Sequence, residues 1–113
     1  MNQLPEYLLK LGGLHDARLV AMNWHVESQV VEFVVDDIYA NFLGLPEYPG
    51  RQSGVIRLEG VSHVEFAVEA SQELKLFELL PAEDHADEVV AKFSPGGRVR
   101  IRYAAAIYPS SLI

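Results

Sequence analysis

Arg98, Arg100 and Arg102 stand at alternate positions in the stretch GGRVRIRY, residues 96–103. In an extended strand every second side chain points to the same face, so the three guanidiniums would form a row with neighbours about 7 Å apart. Such a row could grip a phosphate, a carboxylate ligand or an acidic peptide, because the planar fork of arginine matches an oxyanion with two parallel hydrogen bonds. The structural alternative is cross-strand pairing with outward glutamates such as Glu32, Glu59, Glu65 or Glu69. Each exposed pair of that kind contributes only a fraction of a kcal/mol.

His15-Asp16 is the second candidate. Adjacent His and Asp residues serve metal-dependent phosphohydrolases, but only where further His and Asp ligands are held nearby. Here His25, His63 and His85 are scattered, and no pair has the i, i+2 or i, i+4 spacing that would preset a metal site. No metal ligand set and no cofactor are therefore assigned. The alternative role for His15 and Asp16 is hydrogen bonding to backbone groups where the chain turns into its first strand. The acidic run Glu83, Asp84, Asp87 and Glu88 around His85 lacks the spacing and glycine of an EF-hand loop and reads as solvated. No Ser-His-Asp set, phosphate-binding glycine loop or dinucleotide fingerprint occurs.

These residues must be positioned by elements that the hydropathy pattern outlines. Residues 14–37 form the first expected hairpin: Val20, Met22, Trp24 and Val26 alternate before Glu27-Ser28-Gln29, and Val31, Phe33 and Val35 alternate after it. Trp24 and Phe33 are the largest expected pieces of the core. Residues 4–11 read as one short helix, with Pro5 in its first turn and Gly12-Gly13 as a stop. Residues 54–69 suggest a second hairpin turning at Gly60-Val61-Ser62, with Ile56, Leu58, Val64, Phe66 and Val68 on its dry face. Residues 74–80 are ambiguous between a strand and a helical turn or two, and only their strand neighbours favour a strand. Residues 88–93 and 98–108 make a last hairpin around Ser94-Pro95-Gly96-Gly97. The expectation is a mainly β fold: an antiparallel meander of about seven strands, forming a sandwich or partly open barrel, with one short N-terminal helix.

Residues 38–53 break the alternation with two prolines, Tyr39, Phe42, Leu45, Tyr48 and Arg51. A connection longer than about 12 residues is usually functional or mobile. Tyr39, Tyr48 and Arg51 join His15 and Asp16 as candidate ligand contacts. Against this, Tyr39, Phe42 and Leu45 would serve equally to cap an open end of the core.

At 113 residues the chain suits a single domain. Sixteen acidic residues against nine basic ones give a formal charge of -7. That balance opposes general nucleic-acid binding, which needs a cationic face, and favours a basic protein partner. With no cysteine there are no disulfides, thiolate nucleophiles or cysteine-held zinc. The N-terminal residues lack the features of a secretory signal, and no run approaches the roughly 20 apolar residues of a membrane span. A cytoplasmic protein away from membranes is expected.

Taken together, LHDARL at 14–19, the aromatic Gly/Pro loop, GVIRLEGV at 54–61 and GGRVRIRY at 96–103 resemble small bacterial proteins with an LHD-A/S start. Some of these are grouped with polymorphic-toxin immunity proteins. The resemblance implies a small, β-rich bacterial cytoplasmic protein and transfers no catalytic residue. The functional expectation is a non-enzymatic interaction domain, immunity-like in one form, whose acidic surface meets a basic partner. The other reading is a small-ligand binder or metal-dependent hydrolase using His15, Asp16 and the 38–53 loop. The oligomeric state is left open.

Overall fold

The computed structural model describes residues 3–10, 12–14, 17–38, 50–69, 75–83, 87–94 and 96–108. One helix, α1 (Leu4–Lys10), and a single 3-10 turn (Gly12–Leu14) precede eight strands: β1 (Leu19–His25), β2 (Val30–Val35), β3 (Gly54–Glu59), β4 (His63–Val68), β5 (Lys75–Pro81), β6 (Glu88–Ser94), β7 (Gly97–Arg102) and β8 (Ala105–Ile107). They form two four-stranded antiparallel sheets, in the orders β1-β2-β3-β8 and β4-β7-β6-β5. The mainly β sandwich expected from the hydropathy pattern is thus the observed architecture, and residues 75–81 are a strand.

Alternation decides which side chains fill the space between the sheets. Val31, Phe33, Val35, Ile56 and Leu58 of the first sheet, and Leu79, Val89, Ala91, Val99 and Ile101 of the second, belong to one buried cluster. Such face-to-face packing is how a sandwich removes two apolar surfaces from water at once. Leu4, Tyr7 and Leu8 of α1 join the same cluster. The helix packs against β5, and the Tyr7 ring lies 4.0 Å from that of Tyr108, just past β8. So short a helix is marginal alone and depends on this docking.

The expected second hairpin is not one. β3 pairs with β2 and β8, whereas β4 pairs with β7, so residues 60–62 carry the chain from one sheet to the other. Residues 103–104 carry it back, splitting the expected strand 98–108 into β7 and β8 and giving eight strands in place of about seven. The two crossovers lie side by side. Ala104 N donates to Glu59 O at 2.9 Å, and Ser62 N donates to Arg102 O at 3.0 Å. Gly60 sits at φ 63, and a Cβ there would come within 2.7 Å of the Ala104 Cβ. Glycine is required on both counts.

The first hairpin forms as expected, its turn closed by Gln29 N donating to Val26 O at 3.3 Å. Three of its side chains depart from the expected pattern, among them Val26, which lies in the turn at 68% exposure. Register shifts by one residue between Leu19 and Ala21, a β-bulge that leaves Val20 outside at 61% exposure and puts Leu19 beside the core. Trp24 does lie opposite the buried Val31, hence on the inner face, yet it is 56% exposed. β1 is an edge strand whose inner face packs Leu19 and Met22 against the core, and nothing among the described residues encloses Trp24.

Phe33→Ala, in the sealed interior, is expected to cost about 3–5 kcal/mol. Trp24→Ala, already half in water, should cost about 1–2 kcal/mol by the area it still buries. Urea denaturation of the two variants checks this, and equal losses would mean that Trp24 is enclosed.

Candidate functional site

A sandwich has two lateral openings, and they are treated differently here. On the β5–β8 side α1 supplies Leu4, Tyr7 and Leu8 to the core. On the other side the edge strands β1 and β4 wall an apolar hollow of about 340 Å³. Met22 and Trp24 come from β1, Val64 and Phe66 from β4, and Val31, Val99 and Ile101 form the floor. Register explains the arrangement: Met22 and Trp24 oppose Phe33 and Val31, while Val64 and Phe66 oppose Ile101 and Val99. All four side chains are therefore directed at the core and stop short of being covered by it. Phe66 is 60% exposed. A smaller hollow of about 200 Å³ adjoins it along Val26, Gln29, Val61, Ser62 and His63, with Trp24 and Val64 shared between the two. Apolar patches of this kind mark contact sites more often than scattered exposed residues do.

No Lys or Arg lines either hollow. The polar groups close by in the chain are acids and histidines. His25 Nε2 lies 3.1 Å from Glu32 Oε1, and His63 Nε2 lies 3.1 Å from Glu65 Oε1. Glu32 also reaches Arg57 Nη1 at 3.5 Å, and Arg57 Nε donates to Glu59 at 3.1 Å. These are exposed ladders on the outer faces, each contact contributing little to stability.

The arginine row exists, on the outer face of the second sheet, and its members have different fates. Glu88 opposes Arg102 directly and lies diagonal to Arg100, whose direct partner is Val90. Arg100 Nε donates to Glu88 Oε1, and Arg102 Nη2 donates to Glu88 Oε2 at 3.2 Å. The Glu88 side chain is only 3% exposed, against 29% and 43% for the two arginines. Burial alone would raise its pKa, but the two guanidiniums outweigh that and hold the carboxyl below its ordinary value. Arg98 lies opposite Lys92 on one side and Ala67 on the other, and is exposed.

Of the other residues singled out by sequence, Arg51 is exposed ahead of β3 and lines none of these hollows. His15, Asp16, Tyr39 and Tyr48 lie outside the described residues. The base of the 38–53 connection is pinned, with Ile38 N donating to Gln52 O at 2.8 Å and Gln52 N donating to Asp37 Oδ1 at 3.1 Å. Sequence reasoning missed Phe66 as a surface residue and Glu88 as the acceptor of the arginines. Counting outward from the four-residue turn at 94–97 sets Glu88 against Tyr103, one residue off the observed register, in which Glu88 opposes Arg102. No count within one hairpin could have shown Phe66 at an open edge. Among the described residues no helix is long and apolar enough to cross a membrane, and no group of three or more potential ligands is placed to hold a metal ion.

Comparison with family models, curated proteins and solved structures finds no match to this chain. What fold and site define together is a small antiparallel sandwich that, among the described residues, has a helix packed on one side and an apolar hollow on the other.

Glu88→Gln is expected to destabilise the protein by about 2–3 kcal/mol, below the 3–5 of a fully buried pair because the guanidiniums reach water. A lowered carboxyl pKa means stability that is complete above the ordinary value of about 4.3 and is lost as pH falls through the lowered one. The gap between parent and variant should therefore be constant near neutrality and close in acid, as read by thermal melts across pH.

Proposed function

We propose that this chain is a non-enzymatic interaction domain that binds a basic protein through the open side of its sandwich. The observation that carries the reading is the pair Trp24 and Phe66, inner-face aromatics more than half exposed on facing edge strands. Aromatic side chains that stand ready in an apolar recess are the residue types that dominate binding energy at protein interfaces. The net charge of -7 supports a partner bearing Lys or Arg around its own apolar contacts. An immunity-like role, in which the domain covers a basic toxin, is one form of this binding and is what the resemblance of LHDARL and its companion stretches implies.

Immobilised wild-type chain and a Trp24→Ala/Phe66→Ala variant, exposed to the same lysate, provide the test. The wild type should retain a basic protein whose binding weakens with salt, and the variant should not retain it. Against that purified protein, Trp24→Ala alone should weaken affinity by about 2 kcal/mol, a factor of roughly 30. Trp24 is the only tryptophan, so its fluorescence should shift to the blue as the partner covers it. Equal retention by both chains would refute the reading. Stoichiometric metal in the purified protein, lost in His15→Ala, would replace it with the hydrolase alternative.

A further inference from the structure

Five cations on the strands have described side chains: Arg57, Lys92, Arg98, Arg100 and Arg102. Four of them have a carboxylate. Arg57 has Glu32 and Glu59, Lys92 has Glu78 at 3.3 Å, and Arg100 and Arg102 share Glu88. Arg98 has none among the described residues. Its directly opposed neighbour on β6 is Lys92, a like charge, and like charges in that position oppose sheet pairing. Its neighbour on β4 is Ala67, too short to fill the space beside a guanidinium. The result is a cation beside another cation, over empty volume, in a chain with sixteen acids.

That volume has a shape. On the outer face of the second sheet a hollow of about 580 Å³ is bordered by Arg98, Lys92 and Arg100, and Leu80, Pro81 and Val90 contribute its apolar surface. Glu78 and Glu83 also border it, and Glu78 holds Lys92. A second hollow, about 460 Å³, lies on the Ala67 side of the same Arg98 and Lys92. Arg100 is tied to Glu88, so the guanidinium fork left to receive an oxyanion is that of Arg98, with the Lys92 ammonium, held on one side by Glu78, beside it.

We propose that this face binds a small molecule through a carboxylate or phosphate group held by Arg98 and Lys92, with its apolar part lying on Leu80 and Val90. The site is on the outer face of the second sheet and is distinct from the Trp24–Phe66 recess between the sheets. It relieves the one like-charge opposition of the β6–β7 ladder that no described acid resolves on the Arg98 side.

The test is titration of the isotopically labelled protein with inorganic phosphate, acetate, phenyl phosphate and benzoate, with chloride as control, followed by NMR. Saturable shifts at millimolar anion are expected at the Arg98 Nε–H and the backbone amides of Lys92, Ala67 and Val99. Arg98→Gln should weaken this by about tenfold or more, because a charge-assisted hydrogen bond is lost. Trp24→Ala should leave it unchanged. Saturation by phosphate and phenyl phosphate alone identifies a phosphate site, and saturation by acetate and benzoate alone identifies a carboxylate site. Tighter binding of the aromatic member of either pair locates the apolar part on Leu80 and Val90. Shifts that stay linear, that chloride reproduces, or that persist in Arg98→Gln would overturn the proposal. Arg98→Lys, which keeps the charge and loses the fork, gives an independent comparison should Arg98→Gln fail to fold.

Discussion

Two sheets packed face to face expose their shared interior along both lateral sides, and one short helix can close only one of them. The rest of the molecule follows from that constraint. Leu4, Tyr7 and Leu8 complete the core along the β5–β8 side. Along the β1–β4 side nothing among the described residues does the same, so the inner faces of both edge strands meet water. Trp24 and Phe66 are core-facing residues by register and surface residues by exposure, and that combination gives the sandwich its recess.

Edge strands that carry apolar inner faces invite uncontrolled pairing, and both edges here are modified against it. The bulge at Val20 disturbs the ladder of β1. His63 and Glu65 place polar, hydrogen-bonded groups along the outer face of β4. The recess is thereby kept available for side-chain contacts, while continuous strand addition is discouraged.

The outer face of the second sheet follows a different logic. One enclosed carboxylate, Glu88, serves two guanidiniums, and its ionised form is favoured because two positive charges outweigh the cost of its burial. This anchors the ends of β6 and β7 nearest the crossover. Towards the opposite end of the same ladder the charges no longer cancel, and Arg98 and Lys92 oppose each other. A single row of arginines is thus divided into scaffolding at Arg100 and Arg102 and an uncommitted cation at Arg98.

Period-two alternation depends only on the geometry of a strand, so the sequence by itself determined the strands of the first and last hairpins, while residues 74–80 were ambiguous between strand and helix and were settled as β5 only by pairing with β6. The short helix was equally legible, since Pro5 and the Gly12-Gly13 stop are local signals. Pairing between strands is not local. Residues 54–69 look like a hairpin because Gly60-Val61-Ser62 reads as a turn, but a turn and a crossover between sheets share the same local composition. The difference is set by Ala104 and Arg102, some forty residues away: Ala104 N donates to Glu59 O, Arg102 O accepts from Ser62 N, and the Ala104 side chain leaves no room for a Cβ at Gly60. The same holds for the sites. Alternation placed Trp24 on the inner face and the arginines on one outer face. Which inner face lacks a cover among the described residues, and which arginine lacks an acid among them, were decided only when the two sheets stacked, because burial and charge pairing are properties of neighbours that the chain brings together from afar.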